Sequence, residues 1–173
     1  MKKLVNFTKF GRIAVFIDSA NVVYSLKDLG WKIDYKKFKK YFQRKSKLYG
    51  IYFYSSYVDD SEKQRSLFEM LSRIGFIVRS KELKYIKQKD GTILKKGNLD
   101  VELTIDAITG LKRYDTAIIL SGDSDFAALV NFLKGKKKKV VVISTRGHIS
   151  KELIVASDLF LYFNQFRKDW EML

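Results

Sequence analysis

The chain has 173 residues, of which 46% are hydrophobic, so it is long enough to bury a continuous core, and one domain over residues 1–173 is expected. It contains no cysteine, which excludes disulfides, thiolate catalysis and cysteine-zinc sites and favours a reducing cytoplasm. The 34 basic residues outnumber the 19 acidic ones, and the net charge of +15 favours a polyanionic partner such as nucleic acid, with solubility alone as the competing interpretation.

The apolar and polar residues alternate between strand-like runs and helical periodicity along the whole chain. The first run stops at Asp18 and is far too short for a signal or membrane segment, so we expect a soluble protein without a membrane partner. The predicted elements, in chain order, are a strand from Arg12 to Ile17, a helix through Leu29, a helix from Asp34 to about Leu48, a strand from Gly50 to Val58, a helix from Ser61 to Ile74, a strand from Phe76 to Ile86, a helix from Asn98 to about Gly110, a strand from Thr116 to Leu120, a helix ending near Lys134, a strand from Val140 to Ser144, a helix from Ser150 to about Ala156, a strand from Asp158 to Phe163 and a terminal helix.

Local signals mark several of the boundaries between these elements. Asp34, Ser61, Asn98 and Ser150 have the side chains that cap helix amino termini. The Asp-Gly pair within Lys89-Asp90-Gly91-Thr92 predicts a tight, basic and exposed hairpin. Because strands and helices alternate, and parallel strands need crossover connections, the fold class is α/β with a mostly parallel sheet and helices on both faces.

Four aspartates are predicted to share the edge of this sheet where ligands bind, outside the carboxyl ends of its strands. Asp18 and Asp123 each come just after a strand, and Asp125 follows two residues later. Asp100 lies in the first turn of the helix after Asn98, so its end of the helix can point to the same edge. We therefore expect the four carboxylates to line one pocket.

Carboxylates crowded in one pocket repel one another, and the oxygen-binding cations Mg²⁺ or Mn²⁺ would compensate them. Each acid also has a structural interpretation, since Asp18 and Asp123 can cap helices, while Asp100 and Asp125 are favourable first-turn acids. Asp106 gives weaker support, because it is equally well a buried hydrogen-bonding acid.

Other polar residues near these acids are candidates for supporting roles. Asn21 could orient Asp18 or a metal-bound water, or cap a turn. Ser121 and Ser124 flank Asp123 and could donate hydrogen bonds to phosphate, with turn formation as the alternative. Arg146, just after the Val140 strand, is well placed to contact substrate, whereas the run from Lys136 to Lys139 should lie at the opposite edge.

Two classes of catalyst are disfavoured by what the sequence lacks. A metal-free ribonuclease normally needs two histidines, and this chain has only His148, which is expected to lie in a loop. The phosphate-binding patterns Gly-x-x-x-x-Gly-Lys-Ser/Thr and Gly-x-Gly-x-x-Gly are both missing, which argues against nucleotide cofactors.

Four segments together resemble the NYN domains, especially their LabA-like branch, which are relatives of the PIN nucleases. The segments are AVFIDSANVVYSL around Asp18, KKGNLDVELTIDAI around Asp100, AIILSGDSDFAALVNFL around Asp123, and ISTRGHISKELIVASDLFLYF near the end. The resemblance spans nearly the whole chain. It implies a Rossmann-like PIN fold, a divalent metal at the acidic pocket, and RNA as the substrate.

The predicted function is a Mg²⁺- or Mn²⁺-dependent (endo)ribonuclease in which Asp18, Asp100, Asp123 and Asp125 bind the metal, with endonuclease or exonuclease action left open by the sequence. One alternative is a nucleic-acid-binding or regulatory protein that keeps the fold and cleaves nothing. Another is a phosphatase-like hydrolase with Asp18 as nucleophile, which is disfavoured because Asn21 stands where a second Asp would be expected. The sequence leaves open whether the protein forms a homo-oligomer.

Overall fold

The computed structural model describes residues 5–58 and 61–173, apart from the side chain of Lys95. The strands are β1 (Arg12–Asp18), β2 (Lys47–Tyr57), β3 (Ile77–Glu82), β4 (Lys84–Lys87), β5 (Ile93–Lys96), β6 (Thr116–Leu120), β7 (Lys139–Ser144) and β8 (Leu159–Tyr162). The helices are α1 (Ser19–Leu29), α2 (Tyr35–Lys45), α3 (Glu62–Arg73), α4 (Asp100–Thr109), α5 (Phe126–Gly135), α6 (Lys151–Ala156) and α7 (Arg167–Trp170), with short 3-10 helices at Phe7–Phe10 and Phe163–Phe166. Residues 1–4 of the predicted domain lie outside the described residues.

Six strands form one parallel sheet in the order β3-β2-β1-β6-β7-β8. This arrangement confirms the predicted α/β fold. β2 and β3 are added on one side of β1, and β6, β7 and β8 are added on the other side. The direction in which strands are added therefore reverses between β1 and β6. In sheets of this type the crevice at that reversal, at the carboxyl ends of the strands, is where ligands bind.

Helices cover both faces of the sheet, which is why the central strands are apolar without alternation. Ile13, Val15 and Ile17 of β1 pack into a core shared with α1, α2, α3 and α7. Ala14 and Phe16 of the same strand face the core formed with α4, α5 and α6. Within the described part of the chain, no helix is long and apolar enough to cross a membrane.

Three of the predicted helix caps are confirmed and one is wrong. Asp34, Ser61 and Ser150 each accept a hydrogen bond from a backbone N–H of the first turn that follows. Asn98 does not cap α4, because Leu99 occupies the capping position without a side-chain bond and the Asn98 amide instead donates to Asp100. The helix after Asp34 also ends at Lys45 rather than near Leu48, since the chain enters β2 at Lys47 to pair with β1.

The predicted strand from Phe76 to Ile86 is two strands in the structure. β3 follows β2 only to the pair Tyr57 and Glu82, where β2 ends. Leu83 then donates its backbone N–H to the Tyr57 carbonyl at 2.8 Å, and the chain turns away into the antiparallel pair β4 and β5. This pair confirms the predicted hairpin, and Asp90 stabilises its turn by accepting the backbone N–H of Thr92 at 2.9 Å.

The turn between β6 and α5 is locked against the loop between β7 and α6. The Gly122 carbonyl accepts the backbone N–H of Ser150 at 3.0 Å. A Cβ placed on Gly122 would lie 1.5 Å from the carbonyl oxygen of His148. Only glycine therefore allows these two segments to meet as they do.

Substitution of Gly122 by alanine should lower the free energy of unfolding by about 2 kcal/mol or more, because the new methyl group forces two backbones apart. Gly135→Ala is the matched control, since a Cβ there meets nothing within 4 Å and alanine favours the helix. Chemical denaturation of both variants checks this. Equal stability of the two variants would contradict the close contact at Gly122.

Candidate metal centre

The predicted acids lie at the carboxyl edge of the sheet, at the crevice between β1 and β6. Asp18 is the last residue of β1, and Asp123 follows β6 in the turn that leads into α5. Asp100 is the first residue of α4, and Asp125 precedes α5. Three different connections therefore bring carboxylates to one place.

Three of the four acids form a compact group. Asp100, Asp123 and Asp125 each offer one carboxylate oxygen, and these three oxygens all lie within 4.8 Å of one another. Asp100 and Asp123 are partly buried, whereas Asp125 is exposed. Oxygen ligands from several acids at this separation suit a divalent cation such as Mg²⁺ or Mn²⁺.

Asp18 stands beside this group and is held by hydrogen bonds from its neighbours. Its Oδ1 accepts the backbone N–H of Asn21 at 3.3 Å, as a helix cap does. Its Oδ2 accepts the hydroxyl of Ser121 at 2.9 Å. The capping interpretation of Asp18 is therefore correct, and Asp18 also lines a cavity together with Asp100.

Ser121 connects the acids through a chain of hydrogen bonds. Its side chain is buried, and its Oγ, while donating to Asp18, accepts the backbone N–H of Asp123 at 3.2 Å. Asp123 Oδ1 in turn accepts the backbone N–H of Asp125 at 3.0 Å. The Asn21 side chain accepts the backbone N–H of Gly122 at 2.8 Å, which ties α1 to the same turn. Hydrogen bonds within the domain thus hold the carboxylates of Asp18 and Asp123 in place.

Burial and mutual repulsion perturb the acidity of these groups. Burial, followed by the charges of Asp18, Asp123, Asp125 and Glu102, raises the pKa of Asp100 to about 6. Burial also raises the pKa of Asp18, against the lowering effect of its bonds from Ser121 and Asn21. Both shifts mean that the site resists its own negative charge, which a bound cation would relieve.

A cavity of about 170 Å³ opens beside Asp18 and Asp100. Tyr54 and Leu103 form part of its apolar wall, and Leu83 and Gly97, at the two ends of the β4–β5 hairpin, complete another side. The acids therefore border a recess whose rim continues into the hairpin.

Asp106 does not join the acidic group. Its carboxylate accepts two hydrogen bonds from the Arg79 guanidinium, at 3.0 and 3.2 Å, and one from the Tyr54 hydroxyl at 2.9 Å. Burial, then the charge of Asp106, raises the pKa of Tyr54. Of the two interpretations of Asp106, the hydrogen-bonding acid fits this geometry, and the residue fastens α4 to β2 and β3. Arg79 and Tyr54 were not identified from the sequence, because nothing local signals partners 27 and 52 residues away.

The remaining predicted residues lie at the same edge with different surroundings. Ser124 is exposed, and its backbone carbonyl accepts the N–H of Ala127 at 2.9 Å, in agreement with a turn. Arg146 is exposed after β7, with its guanidinium carbon 5.3 Å from the centre of the Tyr162 ring. His148 lies in the loop before α6, where its Nε2 is 2.5 Å from Asp28.

The raised pKa of Asp100 predicts a pH-dependent stability in the metal-free protein. Between about pH 4 and pH 6 folded Asp100 holds a proton that the unfolded chain has released, so its contribution to the free energy of unfolding falls as pH rises through this window. Asp100→Asn removes this titrating group. In EDTA, the melting temperature of the variant minus that of the wild type should increase from pH 4 to pH 6 and stay constant above pH 6. A constant difference, or one of opposite sign, would contradict the raised pKa of Asp100.

Comparison with known proteins agrees with this fold. The model of the NYN domain matches residues 12–164. The chain is 32% identical over 160 residues to the low amplitude and bright protein LabA of Synechococcus elongatus, covering 90% of this chain and 86% of LabA.

A solved structure has the same fold over nearly its whole length. It is a protein of unknown function from Vibrio parahaemolyticus that is 30% identical, with a TM-score of 0.77 over 94% of this chain and 96% of that one. The matched region contains all four acids at the crevice. The chain therefore belongs to the NYN domain family, which has a nuclease-type fold.

Proposed function

We propose that the protein is a Mg²⁺- or Mn²⁺-dependent ribonuclease that hydrolyses phosphodiester bonds at the crevice between β1 and β6. The observation that carries this proposal is the convergence of Asp100, Asp123 and Asp125, whose oxygens lie within 4.8 Å of one another. Such a group is costly for a fold unless a cation uses it. Membership of a family with a nuclease-type fold points to the same chemistry.

In this proposal Asp100, Asp123 and Asp125 hold the ion, and Asp18 binds it directly or through a water molecule. When bound, the cation supplies an activated water and positive charge for the scissile phosphate and the departing oxygen. Ser121 and Asn21 keep Asp18 and the turn of Asp123 in place through their hydrogen bonds. Because these hydrogen bonds already hold Asp18 and the turn in place, the site needs little reorganisation during the reaction.

The distribution of positive charge supports a polyanionic substrate at this edge. Arg146 is exposed after β7, at the carboxyl ends of the strands, and in this proposal it contacts a phosphate of the substrate. At the opposite edge, Lys138 donates to the Tyr114 carbonyl at 2.7 Å, and the ammonium of Lys139 lies 4.5 Å from the centre of the Phe10 ring. Those lysines have structural partners, which agrees with the expectation that their run is remote from the pocket.

The most direct test of the proposed site is Asp123→Asn. The amide keeps the size of the side chain and can still accept the backbone N–H of Asp125, but it removes a charged metal ligand. We expect the rate of RNA cleavage to fall roughly a thousandfold or more, since metal catalysis supplies several kcal/mol of transition-state stabilisation. Gel assays with Mg²⁺, Mn²⁺ or EDTA measure this, and EDTA should abolish cleavage by the wild type.

Asp169→Asn, which removes an exposed acid on α7, is the matched control and should retain full activity. The melting temperatures of both variants in EDTA establish that they are folded. Cleavage that survives EDTA, or wild-type activity in Asp123→Asn, would refute the metal mechanism. Wild-type protein that binds RNA and cleaves none under any metal would instead support the catalytically silent, nucleic-acid-binding alternative.

A further inference from the structure

The β4–β5 hairpin begins and ends at the wall of the acidic cavity. Leu83 and Gly97, the residues on either side of it, line that cavity together with Asp18 and Asp100. A Cβ on Gly97 would lie 2.8 Å from the Leu83 side chain, so the base of the hairpin is tightly packed. The two ends of the hairpin are therefore held at the wall of the acidic cavity.

The last residue of the hairpin is close to a proposed metal ligand. Lys96 precedes Asp100 by four residues, and four virtual bonds between Cα atoms span at most about 15 Å. A nucleic-acid strand whose scissile phosphate lies at the acids therefore passes within reach of the hairpin.

The register of the hairpin sorts its side chains into a charged pair and an apolar pair on one face. Lys84 stands directly opposite Lys96, and Ile86 stands directly opposite Leu94. Opposite residues of an antiparallel pair project to the same side, as do residues two apart along a strand. Ile86 and Leu94 are 41% and 49% exposed, so this face is not used to build the core.

Folding alone does not account for this composition. An isolated two-stranded ribbon is marginally stable, and like charges directly opposite each other destabilise it further. Within the described residues no carboxylate forms an ion pair with Lys84, Lys87 or Lys96, although nearby Lys81 is paired with Glu102 at 2.5 Å. The hairpin therefore presents uncompensated cations beside exposed apolar side chains.

We propose that the β4–β5 hairpin is a binding arm for single-stranded RNA, which holds the strand that enters the acidic site. This inference rests on the proposed function and specifies the form of its substrate. A phosphate between Lys84 and Lys96 would relieve their repulsion, and Ile86 and Leu94 would lie against the face of an unstacked base. A duplex hides its base faces, so it can use only the lysine pair.

A second copy of the chain fits this surface less well than RNA does. Two copies related by a twofold axis would present the same patch to each other, which would bring the lysine pairs into one interface. No acidic residue within β4 or β5 is available to pair with them. The charge on the hairpin instead complements a polyanion.

The test compares Lys84→Gln/Lys96→Gln with Lys136→Gln/Lys137→Gln, which makes the same change of charge at the opposite edge. Binding to labelled single-stranded RNA is measured by fluorescence anisotropy in EDTA, over a range of salt concentrations. We expect the hairpin variant to bind about tenfold more weakly, and its salt slope to fall by about 0.7, since it loses one phosphate contact and each single-strand phosphate contact contributes about 0.7. The salt slope of the control variant should fall by less than a third of the decrease expected for the hairpin variant.

A second variant, Ile86→Ser/Leu94→Ser, tests the contact with bases. Its affinity for single-stranded RNA should fall about threefold or more, with its affinity for duplex RNA unchanged. In cleavage assays with metal, both hairpin variants should raise KM and keep kcat, because neither changes a residue of the acidic site. Far-UV circular dichroism and melting curves confirm that each variant is folded.

The outcomes separate this inference from the proposed ribonuclease activity. A wild type that cleaves RNA, with hairpin and control variants that bind equally, would overturn the arm and leave the nuclease standing. A specific loss of binding in the hairpin variants, with no cleavage by the wild type, would support the arm and refute the nuclease. Light scattering that shows a wild-type dimer lost in Ile86→Ser/Leu94→Ser would overturn the arm in favour of self-association.

Discussion

Repulsion between carboxylates at the crevice of β1 and β6 is the constraint on which the rest of this site depends. Burial and then the charges of the neighbouring acids raise the pKa of Asp100, and burial together with the charge of Asp123 raises the pKa of Asp18. A fold selected for stability alone would spread such charges apart. In this fold hydrogen bonds hold the carboxylates of Asp18, Asp100 and Asp123, which is the arrangement expected where a cation supplies the missing attraction.

The hydrogen bonds that hold the acids also link elements distant in sequence. Ser121 joins the end of β1 to the turn after β6, and Asn21 joins α1 to the same turn. Gly122 lets the loop after β7 approach so closely that its carbonyl group occupies the space of a side chain. The three loops at the switch point are therefore one unit, and a change in one of them is transmitted to the acids.

Much of the fold could be predicted because its signals are local. Uninterrupted apolar runs marked the buried parallel strands, and Asp34, Ser61 and Ser150 marked helix starts that the structure confirms. The errors arose where tertiary contacts determine the ends of strands and helices. Pairing with β1 draws residues 47–49 into a strand, and the end of β2 at Tyr57 makes the following chain leave the sheet at Leu83.

The sequence was enough to predict that the candidate site lies at the carboxyl edge of the sheet. It was not enough to predict the arrangement of the side chains there. The rule that ligands bind at the carboxyl ends of parallel strands placed Asp18 and Asp123 together, since both follow strands. Sequence spacing does not encode the directions of the side chains. It therefore could not show which carboxylates come close enough to bind one ion. Asp106 shows this best, because its position on α4 says nothing of Arg79, which takes both of its oxygens.

The acidic group lies in the crevice, and the lysines of the β4–β5 hairpin lie next to the wall of its cavity. The proposed function depends on a divalent cation bound between Asp100, Asp123 and Asp125. Crystals grown with Mn²⁺ and a non-cleavable RNA strand would show it directly by anomalous scattering. The account predicts a manganese peak bonded to oxygens of these three residues, with a phosphate beside it. A map with no peak there, at a Mn²⁺ concentration that supports cleavage, would contradict it.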